Sequence, residues 1–348
     1  MSDIDQARVE FEANGLEAGE ERSDERDGTK YQVSFVVALD GLYYYFHQPI
    51  FEQSSGEDKE HDMPIRITPL GATFGAEIVG VDLSKPIDET TFAEIDEAFA
   101  TWSVIVFRDQ KITPDDQLAF ARRFGDLEIN AFEKHALEGY NGVLKISNIV
   151  EDGQALGYAD AGSFWHSDMS YTKTPPRLTM LYALEVPLNA NGTPKGDTWF
   201  ASAVDAYDAL DSTTRNRVEG RTATHFFGAK KRGVKTPVPV TQEQLDKNPP
   251  VDHPIARTHP VTGRKAIYVT ADECIAISGL QEEEALPLLK RLSEHVVQAE
   301  FQYHHKWQVG DVLMWDNCAV QHVVNRDYEF PPDRRMMHRV TVGGSKPY

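Results

Sequence analysis

From Val143 to the C-terminus the chain is a succession of short strand-forming runs, and this limits its fold more than any other feature. Candidate strands are Val143–Val150, Leu178–Glu185, Thr222–Phe227, Ile255–Thr258, Ala266–Val269, Phe301–His305, Asp311–Trp315 and Met336–Val342. His259–Arg264 (HPVTGR) reads as a hairpin turn between two of them, and short helices intervene near Ala203–Leu210 and Glu282–Val297. Many short strands with few long helices predict a mainly β architecture, a double-sheet jelly roll with flanking helices.

The segment before Val143 completes one domain from Met63 to the C-terminus. Ile65–Leu83 alternates, with Gly71 and Gly75 as turn points. Phe92, Ile95 and Phe99 recur at helical spacing within Thr91–Trp102, and Val104–Phe107 is a short apolar strand. Thr113-Pro114 reads as an N-cap and first helical residue, opening a helix that runs through Phe124 and stops at Gly125.

Residues 1–62 differ from the rest. They hold 16 acidic and 5 basic side chains, and so carry -11 of the formal net charge of -20. Their polar ends, Glu17–Lys30 and Gln53–Asp62, are expected to be disordered. Val33–Leu39 and Leu42–Phe46, separated by Asp40-Gly41, read as a hairpin in an accessory extension.

The acidity of the chain argues against a nucleic-acid or anionic-membrane partner, since both are recognised by basic patches. Cys274 and Cys318 form no C-x-x-C pair, so neither a disulfide framework nor a thiolate zinc site is expected. No signal-peptide pattern is present, and a soluble cytoplasmic protein is expected, with a homo-oligomer compatible with the sequence.

Chemistry concentrates in two stretches. In Ser163–Tyr171 (SFWHSDMSY), His166 and Asp168 are two apart and on a strand would share a face. In residues 315–342, His322 is a candidate third ligand, followed by Arg335 and Arg339. Two histidines and a carboxylate on one face of a metal leave positions open, the arrangement of non-haem Fe(II) oxygenases. Arg335 and Arg339, four apart, would line one cavity on a strand, and a buried guanidinium pairs bidentately with a carboxylate. Adjacent Arg334 should point away. His304-His305 should face opposite sides and chelate nothing together.

With these residues in view, the chain from residue 65 to its end resembles the taurine/2,4-D dioxygenase family of Fe(II)/2-oxoglutarate oxygenases. The likeness rests on ITPLGATFGAEIVGVDLS, VIVFRDQKITPDDQ, FARRFGDL, WHSD, GDTWFAS, HPIARTHPVTGRKAIYV, WDNCAVQH and RRMMHR, in that order. The resemblance implies a double-stranded β-helix of cupin-like type. It implies His166, Asp168 and His322 as iron ligands, Thr198 and Arg335 on 2-oxoglutarate, and Arg339 near both cosubstrate and substrate anion. It further implies that O2 and 2-oxoglutarate are consumed, with succinate and CO2 formed as a small, anionic substrate is hydroxylated. Sulfonates, sulfate esters, aryloxyalkanoates and related carboxylates all fit such a substrate.

Where taurine-type members have a histidine after FG-x-L and a tyrosine three further on, this chain has Asn130 and Glu133. Taurine itself is therefore disfavoured. Asn130, Asn148 and Phe164 are candidate substrate contacts. The alternatives are a metal-dependent hydrolase, which needs no Arg335–Thr198 clamp, and a non-catalytic binding protein on the same fold.

Overall fold

The structure is a computed structural model. It describes residues 65–129, 135–159, 162–229 and 240–348, together with the backbone of four strands nearer the N-terminus. The chain divides into two units, Met1–Asp62 and Met63–Tyr348.

In the first unit, Thr29–Val37 pairs antiparallel with Glu17–Ala18, Arg22–Arg26 and Tyr43–Pro49. Strands therefore fall inside Glu17–Lys30, which composition predicts to be disordered. Pairing through backbone groups does not require apolar side chains, so a polar run can join an apolar neighbour. Asp40, Gly41 and Gln53–Asp62 lie outside the described residues.

The second unit is a jelly roll. Its major sheet uses β1 (Arg66–Pro69), β2 (Ala76–Val79), β3 (Val104–Phe107), β4 (Ala136–Leu137), β5 (Tyr140–Ser147), β6 (Leu178–Glu185), β9 (Val312–Asp316) and β11 (Met336–Val342). Their order is β1-β2-β3-β9-β6-β11-β5-β4, antiparallel except for β2–β3. A minor sheet of β7 (Thr198–Ser202), β8 (Gln302–His305) and β10 (Val320–Val324) has the order β8-β7-β10.

Strand alternation divides the major sheet into two chemically different faces. Ile105, Phe107, Leu178, Met180, Val312, Met314 and Val340 pack with Ile95 and Phe99 of α1 (Glu89–Trp102) and Leu118 and Phe120 of α2 (Pro114–Arg122). The opposite parity, Val104, Val106, Leu181, Leu313, Trp315 and Met337, packs with Phe200 and Val320 of the minor sheet. Thr179 and Arg339 share that second parity, so two polar residues are aimed into the space between the sheets.

Local chemistry sets the helix ends. Asp88 caps α1 by accepting from the Thr91 amide, and α1 ends at Ser103, whose φ is 59°. Thr113 and Asp116 form a reciprocal capping box on α2, with Pro114 in its first turn. That matches the start read from Thr113-Pro114. The two cysteines are buried and unbonded to each other. Among the described residues, no helix is long and apolar enough to cross a membrane.

Phe99 is fully buried and meets the Phe124 ring edge-on, with centroids 5.8 Å apart. Phe99→Ala should destabilise the domain by about 3–5 kcal/mol through lost burial and a residual cavity. Urea unfolding checks this: the midpoint falls while the slope stays constant. An unchanged midpoint would show that this helix is not integral to the core.

Candidate metal centre and anion clamp

The minor sheet delivers the first two groups. On β10 the inward parity is Val320, His322 and Val324, and on β7 it is Thr198 and Phe200, with Phe200 opposite His322 in register. His322 also forms a two-way backbone bridge with His166: His166 N donates to His322 O at 3.1 Å, and His322 N donates to His166 O at 2.9 Å. This bridge brings residues far apart in sequence side by side, with imidazole centroids 4.2 Å apart.

His166 and Asp168 do not share a continuous strand, contrary to the sequence reading. His166 sits on the isolated bridge, and the chain turns immediately after it, with Met169 at φ 49°. The turn brings the carboxylate round to the imidazole: His166 Nε2 lies 3.6 Å, and His322 Nε2 3.9 Å, from Asp168 Oδ1. One ligand atom from each of the three residues lies within 4.8 Å of the others.

The surrounding groups set the state of each candidate ligand. His166 Nδ1 lies 2.8 Å from the Phe164 carbonyl, to which it donates when neutral, leaving Nε2 with its lone pair toward Asp168. Burial alone would raise the Asp168 carboxyl. Arg339, with Nη2 3.0 Å from Oδ1, and the two histidines outweigh burial and hold it well below the usual carboxylate range. Burial, followed by the charges of His166 and Arg339, pushes His322 well below the usual imidazole range despite Asp168. Burial also opposes the charged form of His166, but Asp168 more than offsets this and raises it. A carboxylate and imidazoles in this setting match the donor set of a ferrous centre, and they fit that metal.

A second polar group stands across the same cavity. His166, His322, Thr198, Arg335 and Arg339 line it together with Ile146, Leu181 and Trp315. Arg335 immediately precedes β11 and is 3% exposed. Among the described residues its Nε and Nη2 are buried without a hydrogen-bond partner, and burial pulls its guanidinium below the ordinary range. Trp307 and Tyr328 flank it at 6.0 and 5.6 Å from their ring centroids. An orphaned, buried guanidinium is a strong demand for an anion. Trp307 Nε1 donates to Thr198 Oγ1 at 3.0 Å. This occupies a Thr198 lone pair and leaves its proton free to donate to an acceptor. Donor hydroxyl and guanidinium together fit the distal carboxylate of 2-oxoglutarate.

The remaining candidates take different positions. Asn148 does not present a free amide: it donates to the Asp333 carbonyl at 2.9 Å and accepts from the Arg335 amide at 2.9 Å. It therefore supports the arginine's backbone. Phe164 lies beside His166, with ring centroids 5.1 Å apart. Asn130 and Glu133 lie outside the described residues. Arg334 points away from the cavity to Glu185 and Glu151, and His304 stacks on Trp199, as their parity predicts. Sequence reading did not single out Thr179, Asn317 or Trp307. The available signal was Thr179, a polar residue in the otherwise apolar run Leu178–Leu184 of this strand.

Comparison with known proteins agrees with this geometry. The family model described as "Taurine catabolism dioxygenase TauD, TfdA family" matches residues 66–341. The alpha-ketoglutarate-dependent 2,4-dichlorophenoxyacetate dioxygenase of Cupriavidus pinatubonensis is 35% identical over 291 residues, covering 80% of this chain and 98% of the relative. The (S)-phenoxypropionate/alpha-ketoglutarate-dioxygenase of Sphingobium herbicidovorans is 32% identical over 284 residues, covering 80% and 94%. The crystal structure of AAD-2 in complex with Mn(II) and N-oxalylglycine superposes with a TM-score of 0.68 at 34% identity, covering 82% of this chain and 99% of that one. The chain belongs to the TauD, TfdA family. It is a dioxygenase that depends on Fe(II) and 2-oxoglutarate.

Removing the Arg335 guanidinium tests the clamp. Arg335→Leu should weaken 2-oxoglutarate binding by at least about 2 kcal/mol, roughly 30-fold, the lower range for truncating a buried charge pair. Calorimetric titration of the metal-loaded protein measures it. Unchanged affinity would mean the cosubstrate's distal carboxylate lies elsewhere.

Proposed function

We propose that His166, Asp168 and His322 hold the ferrous ion, that Thr198 and Arg335 grip 2-oxoglutarate, and that the substrate is an aryloxyalkanoate-type carboxylic acid. Arg339 stands between the two halves of the site and contributes charge toward the substrate's anionic group. The observation that carries this reading is the buried Arg335 guanidinium, with two donor nitrogens unpartnered among the described residues, lining the same cavity as the two histidines of the His/Asp/His cluster. A hydrolase has no use for that second anion site.

Each residue has a physical task. Arg335 and Thr198 anchor one end of a dicarboxylate, which orients its keto acid toward the triad. Burial of the cavity walls, Ile146, Leu181 and Trp315, excludes water that would otherwise compete for the site. Arg339 keeps Asp168 ionised and so available as a ligand. Iron bound there would supply dioxygen activation, coupling decarboxylation of 2-oxoglutarate to hydroxylation of the substrate.

The aryloxyalkanoate assignment is supported by the two relatives named for phenoxyalkanoates and by the departure from the taurine pattern at Asn130 and Glu133. Hydroxylation of the carbon bearing the ether oxygen gives a hemiacetal, which collapses to a phenol and a carbonyl acid. The reading extends to a cytoplasmic enzyme that acts on a small molecule rather than on nucleic acid or a membrane, and the net charge of -20 supports the latter part.

A substrate panel tests the proposal. Purified protein with Fe(II), O2 and 2-oxoglutarate should form succinate and phenol in equal amounts from aryloxyalkanoates, and much less succinate from alkyl sulfonates or sulfate esters. His166→Ala should abolish turnover with the fold retained by circular dichroism. Succinate coupled only to a sulfonate or sulfate ester would refute the substrate class. Full turnover by His166→Ala would refute the metal assignment.

A further inference from the structure

We propose that Thr179 is a positioning residue that reserves one oxygen of Asp168, so that a metal at the triad meets Oδ1 alone. This rests on the triad reading above. A carboxylate that turned both oxygens to the metal would fill a coordination position needed by 2-oxoglutarate or dioxygen.

The direction of every hydrogen bond behind Asp168 is forced by chemistry. The Trp315 indole Nε1–H and the Asp168 backbone N–H can only donate. Both address Asn317 Oδ1, at 3.1 and 3.3 Å. This fixes the Asn317 amide with its NH2 group on the other side, where Nδ2 donates to Thr179 Oγ1 at 3.1 Å. Thr179 therefore accepts from Asn317, and its one proton goes to Asp168 Oδ2 at 2.6 Å. Oδ1 is the oxygen that faces both imidazole Nε2 atoms and Arg339.

The relay is shielded from solvent. Thr179 and Asn317 are fully buried, Trp315 is 2% exposed and Asp168 3% exposed. No bulk water is at hand to replace the threonine proton. Valine has the shape of threonine and would fill the same buried space between the sheets. A buried hydroxyl is retained here at a desolvation cost that its two hydrogen bonds must offset. The Asn317 end is itself held: Asp316 accepts from the Cys318 amide at 2.7 Å and sits 3.0 Å from His259 Nε2. The turn carrying Asn317 is thereby fixed relative to β9.

The test uses full-length protein stripped of metal and titrated with Co(II), whose visible spectrum reports coordination number, and then with 2-oxoglutarate. Thr179→Ser, which keeps the hydroxyl, should match wild type throughout. Thr179→Val should give an altered Co(II) spectrum before 2-oxoglutarate is added, bind Co(II) about 10-fold or more weakly, the scale set by losing an outer-shell partner of a metal ligand, and bind 2-oxoglutarate more weakly than wild type. Asn317→Ala, which frees the Thr179 proton to turn elsewhere, should shift these readouts in the same direction. It decides the question if Thr179→Val does not fold.

A purely structural threonine would lower the thermal midpoint of Thr179→Val while leaving spectrum and affinities at wild-type values. That result overturns the proposal. His322→Ala separates the two readings. Its loss of Co(II) leaves the triad standing whatever Thr179 does, and its retention of Co(II) removes the triad and the Thr179 proposal with it.

Discussion

A buried carboxylate governs the architecture of this site. Asp168 lies between two sheets where an isolated negative charge would be strongly disfavoured. It is tolerated because Arg339 stands 3.0 Å from one oxygen and Thr179 donates to the other. Those two groups come from neighbouring strands of the major sheet, paired so that Leu181 lies opposite Arg339. The inward parity of that sheet is therefore polar at this one place and apolar around it. The His166–His322 bridge then brings two imidazoles to the same carboxylate oxygen from the minor-sheet side.

The second constraint is the opposite charge. Among the described residues Arg335 is buried with donors unpartnered, while Arg339 pairs with Asp168. The two arginines, four residues apart, thus sit in different settings: Arg339 stabilises a resident carboxylate, and Arg335 is the one we propose to receive an incoming carboxylate. Trp307 serves the second setting twice. Its indole N–H directs the Thr198 proton, and its ring flanks the Arg335 guanidinium. A dicarboxylic acid with one end at a metal and the other at a guanidinium is the ligand that such a separation of charges suits.

Much of this was legible in the amino-acid sequence. Leu178–Glu185 and Met336–Val342 match the candidate strands to the residue: the first is apolar except at Thr179 and Glu185, and the second is framed by Met336-Met337 and Val340-x-Val342 around His338 and Arg339. The strands carrying Thr198 and His322, Thr198–Ser202 and Val320–Val324, were not among the candidate strands. The residues that give those strands their function interrupt the hydrophobic pattern by which strands are recognised. The His166-x-Asp168 pair was found, but for an incomplete reason: a turn, rather than strand alternation, brings the carboxylate round. Asn148 is a candidate substrate contact from its position in sequence, and only tertiary structure shows that its amide oxygen accepts from the Arg335 backbone. Thr179 was hidden because a threonine in a strand is compatible with ordinary β-propensity.

The account stands or falls on whether three side chains meet one ion. Crystals grown with Fe(II) under anaerobic conditions and measured at the iron absorption edge test this directly. One anomalous peak is predicted within roughly 2.0–2.2 Å of His166 Nε2, His322 Nε2 and Asp168 Oδ1, taking metal–nitrogen and metal–carboxylate distances typical of divalent sites. A peak bonded to both oxygens of Asp168 would contradict the role given to Thr179. A peak away from any of these three residues would contradict the metal centre itself.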